Sequence, residues 1–490
     1  MSVCAVLSFV RLRSIAGSGR LVVSCLMLLW TLVLAGLPAA ERPLRVALTG
    51  QYPPFSMYDA DGQLAGFDVD VSRAVARHLG RDLQLIATQW DGILPGLLAG
   101  HYDVIIGSMA ITEERSRQVD FSTPYYTSGA QLFIHKRHAD EISSIEDCAG
   151  QRIGVVLGET FEHYLREHHP EIERVTYRST VDIFQDVVNG RLVGFVSDRL
   201  LGAYQIRQEE MPFIEAGELL YQEHMGIPVH PDQGELLLAI NTALETMRSR
   251  GEMDEIHERW FGLDGERVGS GSTIRPWTVT AMLVEGFVLT LFIALAAIIG
   301  GLILAIPAGI VLHRPSGVGR LLLRGIVDFL RGTPVLIQLF FVYFGLGSVF
   351  PGLGPITAAI GTLAVNAAAY MAEVVRSGLM AVDPGQHEAA RALGLSRSQV
   401  FWRVVWPQAF RVAIPALMNS VVALIKDTAL VSVITVPEVI RQAQSIISVT
   451  FDPTRYYLIV AVMFFVVTFP LMKLAGRLEA RIRQRGFSHD

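Results

Sequence analysis

Glu388-Ala389-Ala390-Arg391-Ala392-Leu393-Gly394, followed by Phe401, Val404 and Pro407, sits between two long apolar stretches. The pattern predicts a helix, a sharp turn at Gly394 and a second helix ending near Pro407. Ala389 and Ala390 carry almost no side chain, so another surface can approach that helix closely. Arg391, Arg397, Arg403 and Arg411 make the loop basic. Basic loops between apolar spans face the cytoplasm.

Working outward, five stretches approach the roughly 20 apolar residues that cross a bilayer. They are Val279–Leu312, Leu321–Phe350, Pro355–Met380, Val412–Val436 and Tyr456–Leu474. His313, Arg314, Arg320 and Arg324 follow the first, and Lys473, Arg477, Arg481, Arg483 and Arg485 follow the fifth. Gly347–Gly354, after the second, holds no charge. Alternate loops are therefore basic, and an odd number of spans puts the C-terminus inside and the N-terminal part outside. Residues 1–40 read independently as an export signal. Arg11, Arg13 and Arg20 precede an apolar run, Leu21–Leu37, and Pro38-Ala39-Ala40 precedes Glu41. This leader is either cleaved or kept as an anchor.

The chain of 490 residues is 51% hydrophobic and 18% charged, and its net charge of -6 gives no reason to expect nucleic-acid binding. Residues 41–262 are mixed and charged. Residues 263–276 are rich in glycine and serine and read as a flexible linker. Residues 277–490 are the membrane part, with a cytoplasmic loop at 381–411. Cys148 stands alone outside the leader, so no disulfide framework is expected. In the outer part, strands are predicted at Leu44–Leu48, Leu83–Ala87, Val104–Ile106, Arg152–Val156 and Gly194–Val196. Helices are predicted at Asp70–Leu79, Phe184–Val188 and Leu236–Arg250. Two rounds of alternation imply two α/β lobes. The expected fold is a bilobed α/β domain followed by an all-α five-span domain.

The loop at Glu388–Gly394 resembles the EAA loop of ABC-importer permeases, whose coupling helix docks in a groove of the ATPase. The resemblance assigns that role to Glu388, Ala389, Ala390 and Gly394. Arg331–Gln338, Asn366–Gly378 and Leu424–Ser432 are similar to segments of permeases for polar amino acids. Glu373, Lys426 and Asp427 are ionisable groups in or beside spans, where such groups usually face a pathway or a partner. A structural ion pair of Glu373 with Arg376 is the competing reading.

The outer part resembles a periplasmic amino-acid-binding protein of the family 3 solute-binding type. The matching segments include Tyr52–Phe55, Gly66–Asp70, Trp90–Leu97, Gly107–Arg115, Val119–Tyr126 and Trp260–Gly262. The resemblance implies that Arg115 binds the ligand carboxylate, with donors from Ser108, Thr160 and the backbone at Ala110. It implies that Asp198 takes the ammonium and that Tyr52 and Trp90 clamp the aliphatic part, with Phe55 packed behind. An arginine fork suits two carboxylate oxygens. Glu159 hints at a polar or cationic ligand. A surface ion-pair role for Arg115 and Asp198, and a core role for Trp90 and Phe55, are the alternatives.

No Gly-Lys dipeptide occurs, so this chain lacks a phosphate-cradling P-loop. ATP hydrolysis is expected in a separate ATPase, present in two copies beside a homodimer of this chain. A heterodimer with an unfused permease competes with that reading. No cofactor or metal site is expected. A ligand-gated channel would need a pore-filter motif, which is missing. A membrane-anchored enzyme on the bilobed fold would leave the coupling loop unexplained.

Overall fold

The computed structural model describes residues 42–207, 211–262, 274–350, 353–450 and 452–486. The expected leader, and the expected linker up to residue 273, lie outside these residues. Everything from Leu44 onward forms one compact unit.

The first lobe starts with β1 (Leu44–Leu48), whose alternate residues are fully buried. A two-stranded flap, β2 (Met57–Tyr58) and β3 (Leu64–Ala65), follows. Next come β4 (Leu83–Ala87), β5 (Val104–Ile105), β6 (Met109–Ala110) and β7 (Asp120–Phe121). β8 (Tyr126–His135) leaves for the second lobe, which adds β9 (Arg152–Val156), β10 (Glu173–Tyr177) and β11 (Gly194–Asp198). β12 (Phe213–Gly226) returns, and β13 (Pro228–Val229) rejoins the first sheet. The sheet orders are β4-β1-β5-β13-β7 and β10-β9-β11-β8-β12-β6. β1 runs parallel to both β4 and β5, and β9 parallel to both β10 and β11. Open parallel sheets bind ligands beyond the carboxyl ends of their strands. Here those ends lead into Thr49–Tyr52, Thr88–Trp90, Gly107–Ser108, Gly158–Thr160 and Arg178–Ser179.

The predicted outer elements stand at their expected places within a few residues. The long antiparallel strands β8 and β12 escaped the sequence reading. They pair along most of their length, with a bulge between Ala216 and Tyr221, and carry the chain between lobes.

Among the described residues, four helices are long and apolar enough to cross a bilayer: Pro276–His313, Pro355–Met380, Arg397–Ile434 and Pro453–Ile482. A fifth span exists only if a bent pair counts as one. Val318–Gly332 and Val335–Gly345 meet at 105°. The single stretch expected over Leu321–Phe350 is thus broken at Thr333-Pro334, where proline supplies no N–H and disfavours helix in the residue before it. Gln338 covers the exposed carbonyls, donating to Leu330 O at 2.8 Å and Thr333 O at 3.2 Å. Asn366 in turn donates to Gln338 Oε1 at 3.1 Å.

The first and third spans approach through small residues at four-residue spacing. A methyl at Gly309 would lie 2.6 Å from Val375 Cβ, and one at Gly301 would lie 3.3 Å from Ala364 O. Close approach of this kind holds helices together where no water drives them.

The second helix of the cytoplasmic loop does not end near Pro407 as expected. It begins at a capping box between Ser396 and Gln399 and widens into a π-helical turn over Val400–Val405. It then continues through Pro407 into Trp406–Asp427. A widened turn relieves the clash between a proline ring and the carbonyl four residues back.

Candidate functional site

Tyr52, Trp90, Ser108, Ala110, Arg115 and Thr160 line one cleft between the lobes. Arg115 lies in the short helical turn Glu113–Ser116, which Thr112 caps by accepting from the Arg115 N–H. Its guanidinium donates to Ala110 O at 3.0 Å and to Gly158 O of the other lobe at 3.2 Å. It also lies 5.5 Å from the centroid of the Trp90 ring. Its remaining N–H groups have no protein partner among the described residues.

Two expected residues stand behind the wall. Phe55 is fully buried and stacks at 5.4 Å on both Tyr52 and Tyr126, a core position supporting the Tyr52 loop. Asp198 ends β11 and is also fully buried. Its Oδ1 accepts from Ser128 Oγ at 2.8 Å and Leu200 N at 2.7 Å, the Leu201 N–H also faces the carboxylate, and Oδ2 has no close partner among the described residues. An unsatisfied buried carboxylate oxygen is costly and calls for a donor. Ser108 lines the cleft, but its hydroxyl is spent on Asp68 Oδ2 at 2.7 Å.

The sequence reading missed Gln51, Gln89 and Glu223. Gln51 Nε2 is buried without a partner among the described residues, and all three line the cleft. Glu223 lies on β12, where Tyr221, Glu223 and Met225 alternate with exposed neighbours. That two-residue period was the available signal.

Arg115 and Arg178 share the lining with Glu159 and Glu223, and Asp198 lies buried behind it. Burial, then the neighbouring Glu223, pushes Glu159 up to about 8. Burial pushes Asp198 up to about 7 against its hydrogen bonds from Ser128 and Leu200. Burial also lowers Arg115, while Glu223 and Glu159 oppose that shift. A ligand bringing an ammonium supplies the positive charge these carboxylates lack. Among the described residues no cluster of three or more histidine, cysteine or carboxylate groups could hold a metal.

On the membrane part, Glu373 accepts from Arg324 at 2.7 Å and Arg376 at 2.8 Å. Lys426 is exposed and Asp427 half-buried. The helix Pro384–Ala392 turns Ala390 inward, leaving Glu388 and Ala389 exposed and Leu393 82% exposed. Gly394 follows at φ 82°, the left-handed region that favours glycine.

Residues 44–263 match the family of bacterial extracellular solute-binding proteins, family 3, and residues 301–484 match the binding-protein-dependent transport system inner membrane component. An L-cystine-binding protein of Escherichia coli K12 is 34% identical over 221 residues, 45% of this chain and 83% of that protein. An L-arginine-binding protein of Pseudomonas aeruginosa is 34% identical over 235 residues, 46% of this chain and 90% of that protein. A glutamine transport system permease of Escherichia coli K12 is 35% identical over 209 residues, 42% of this chain and 95% of that permease. The chain belongs to both families at once, a family 3 solute-binding domain fused to a binding-protein-dependent inner-membrane permease.

Proposed function

We infer that this chain is the substrate-binding and permease subunit of an ATP-driven ABC importer for amino acids, a multi-pass protein of the bacterial inner membrane. The carrying observation is the cleft, where Arg115 offers a guanidinium and Glu159 and Glu223 offer carboxylates to a zwitterion, with Asp198 buried behind the wall. The relatives named for cystine, arginine and glutamine support a polar amino acid as cargo. Tyr52 and Trp90 would flank the aliphatic part, and Thr160 would add a donor. A separate ATPase would dock on the exposed face of Glu388, Ala389 and Leu393. Two copies of this chain with two ATPases give each ATPase one coupling helix, and closed twofold assembly is the usual arrangement.

The test is uptake. The chain and its partner ATPase, reconstituted in liposomes with ATP, are expected to accumulate at least one radiolabelled amino acid from a panel of the twenty plus L-cystine. ATP-independent ion flux instead would favour a ligand-gated channel.

A further inference from the structure

The helix Val439–Thr450 joins the last two spans and lies directly beneath the binding domain. Arg441 on this helix is only 3% exposed. Its Nη2 donates at 3.0 Å to two carbonyls at once, Thr49 O and Thr88 O. Those residues close β1 and β4 and lead straight into the loops that carry Tyr52 and Trp90. Gln444, one turn along, accepts from Gln89 Nε2 at 3.1 Å. One nitrogen therefore sits between the roots of both clamp loops, and a change of about 1 Å in their spacing would break one of its bonds.

The contact continues inward. The Arg441 backbone N–H donates to Glu438 Oε1 at 2.9 Å, and Val439 N–H donates at 3.2 Å to Thr290 Oγ1, whose hydroxyl lies 2.9 Å from Gly286 O and 3.3 Å from Glu438 Oε2. Glu438 and Thr290 are fully buried, and Thr290 belongs to the first span. The second lobe meets the same helix, because Val181 shares an apolar cluster with Ile446, Ile447 and Met282. The helix thus satisfies its contacts only against a binding domain whose lobes are both in place.

We propose that Arg441 is a positioning residue that couples ligand-ordered clamp loops to the first span through Glu438 and Thr290. Arg441 lines no part of the ligand cleft, and its Nε and Nη1 have no partner among the described residues. A buried arginine held this sparingly is a costly way to fasten two surfaces, and a lost partner is felt strongly. Contiguous polar networks of this kind carry coupling only if both ends bias the same element, which is measurable.

This inference rests on the importer reading, and the experiment separates the two. The full chain with its ATPase, in nanodiscs, is assayed with the tightest-binding member of a panel of the twenty amino acids and L-cystine. Arg441→Met is expected to keep the wild-type Kd and basal ATP hydrolysis but to lose ligand stimulation by about tenfold, within the usual range of coupling. Arg441→Lys, which keeps a donor for both carbonyls, is expected to restore part of it, and Glu438→Gln to weaken it. Full stimulation in Arg441→Met overturns the proposal. So does a Kd that weakens in step with stimulation, or an Arg441→Lys variant as inactive as the methionine despite wild-type melting. A wild-type complex that no panel member stimulates contradicts the importer reading itself and removes this proposal with it.

Discussion

Arg115 stands in the first lobe and Gly158 in the second, and the arginine donates across the cleft to that carbonyl at 3.2 Å. The group proposed to bind a carboxylate thus also fastens the lobes. On that proposal recognition and closure share one side chain, as expected where ligand binding drives a hinge.

Arg115→Ala removes both roles. The loss of one partner from a buried charged contact costs about 2–5 kcal/mol, roughly 30-fold or more in affinity. Calorimetric titration of the purified chain measures it. A wild-type Kd would take Arg115 out of the site. Arg115→Lys is expected to fall between, since an ammonium cannot reproduce the planar fork.

Acidity tunes the cleft and the carboxyl groups buried beside it. Asp68 and Asp198 are pushed up to about 7 and Glu159 to about 8, each chiefly by burial. Raised carboxyl groups bind protons more tightly folded than unfolded. Their contribution to stability is complete below the unfolded values near 4 and is lost as pH rises through 7 to 8. Thermal melts of the ligand-free protein are expected to show a falling Tm of the outer domain between pH 5 and 8. The added stability from an amino acid should grow over the same interval, because the ammonium favours ionised Asp198. A ligand-induced rise in Tm that shrinks with pH would contradict this assignment.

Coupling to the ATPase is expected to fail at Gly394 without harm to the cleft. A side chain there meets nothing within 4 Å, so the whole cost comes from φ 82°. That cost is about 1–2 kcal/mol for a residue with a Cβ. Gly394→Val and Glu388→Lys should therefore bind amino acids normally and transport them poorly. Uptake by liposomes, compared with Kd on the same preparation, decides it.

Native mass spectrometry of the complex with its ATPase tests assembly. Two copies of this chain and two ATPases are expected. One copy beside a different permease would establish the heterodimer instead.

Much of the outer domain was legible because its parallel strands are short, largely apolar runs between turns. β1, β4 and β9 have the predicted boundaries, since short apolar runs flanked by turns admit little else. β12 was not legible. Its Gly217-Glu218 bulge and half-exposed middle hide the alternation, and Glu223 was lost with it. Arg115, Trp90 and Thr160 could be named from motif segments. Phe55 was already expected behind the Tyr52 loop, whereas that the Ser108 hydroxyl belongs to Asp68 is a fact of packing between segments far apart in sequence. The break at Thr333-Pro334 was signalled by the proline but outweighed by continuous hydropathy. Arg441 carries no local signal, because its partners lie more than 350 residues away.

The broken second span has an electrical consequence. Its elbow is sealed by Gln338, Asn366 and the Thr333 hydroxyl, which are neutral at any physiological pH. Shifting one elementary charge through a membrane field costs about 2.3 kcal/mol per 100 mV. An elbow made of amides and a hydroxyl displaces no such charge when it bends. Any voltage sensitivity of this span must therefore come from the charged side chains of its first arm, such as Arg324 and Arg331, and not from the groups that seal the elbow.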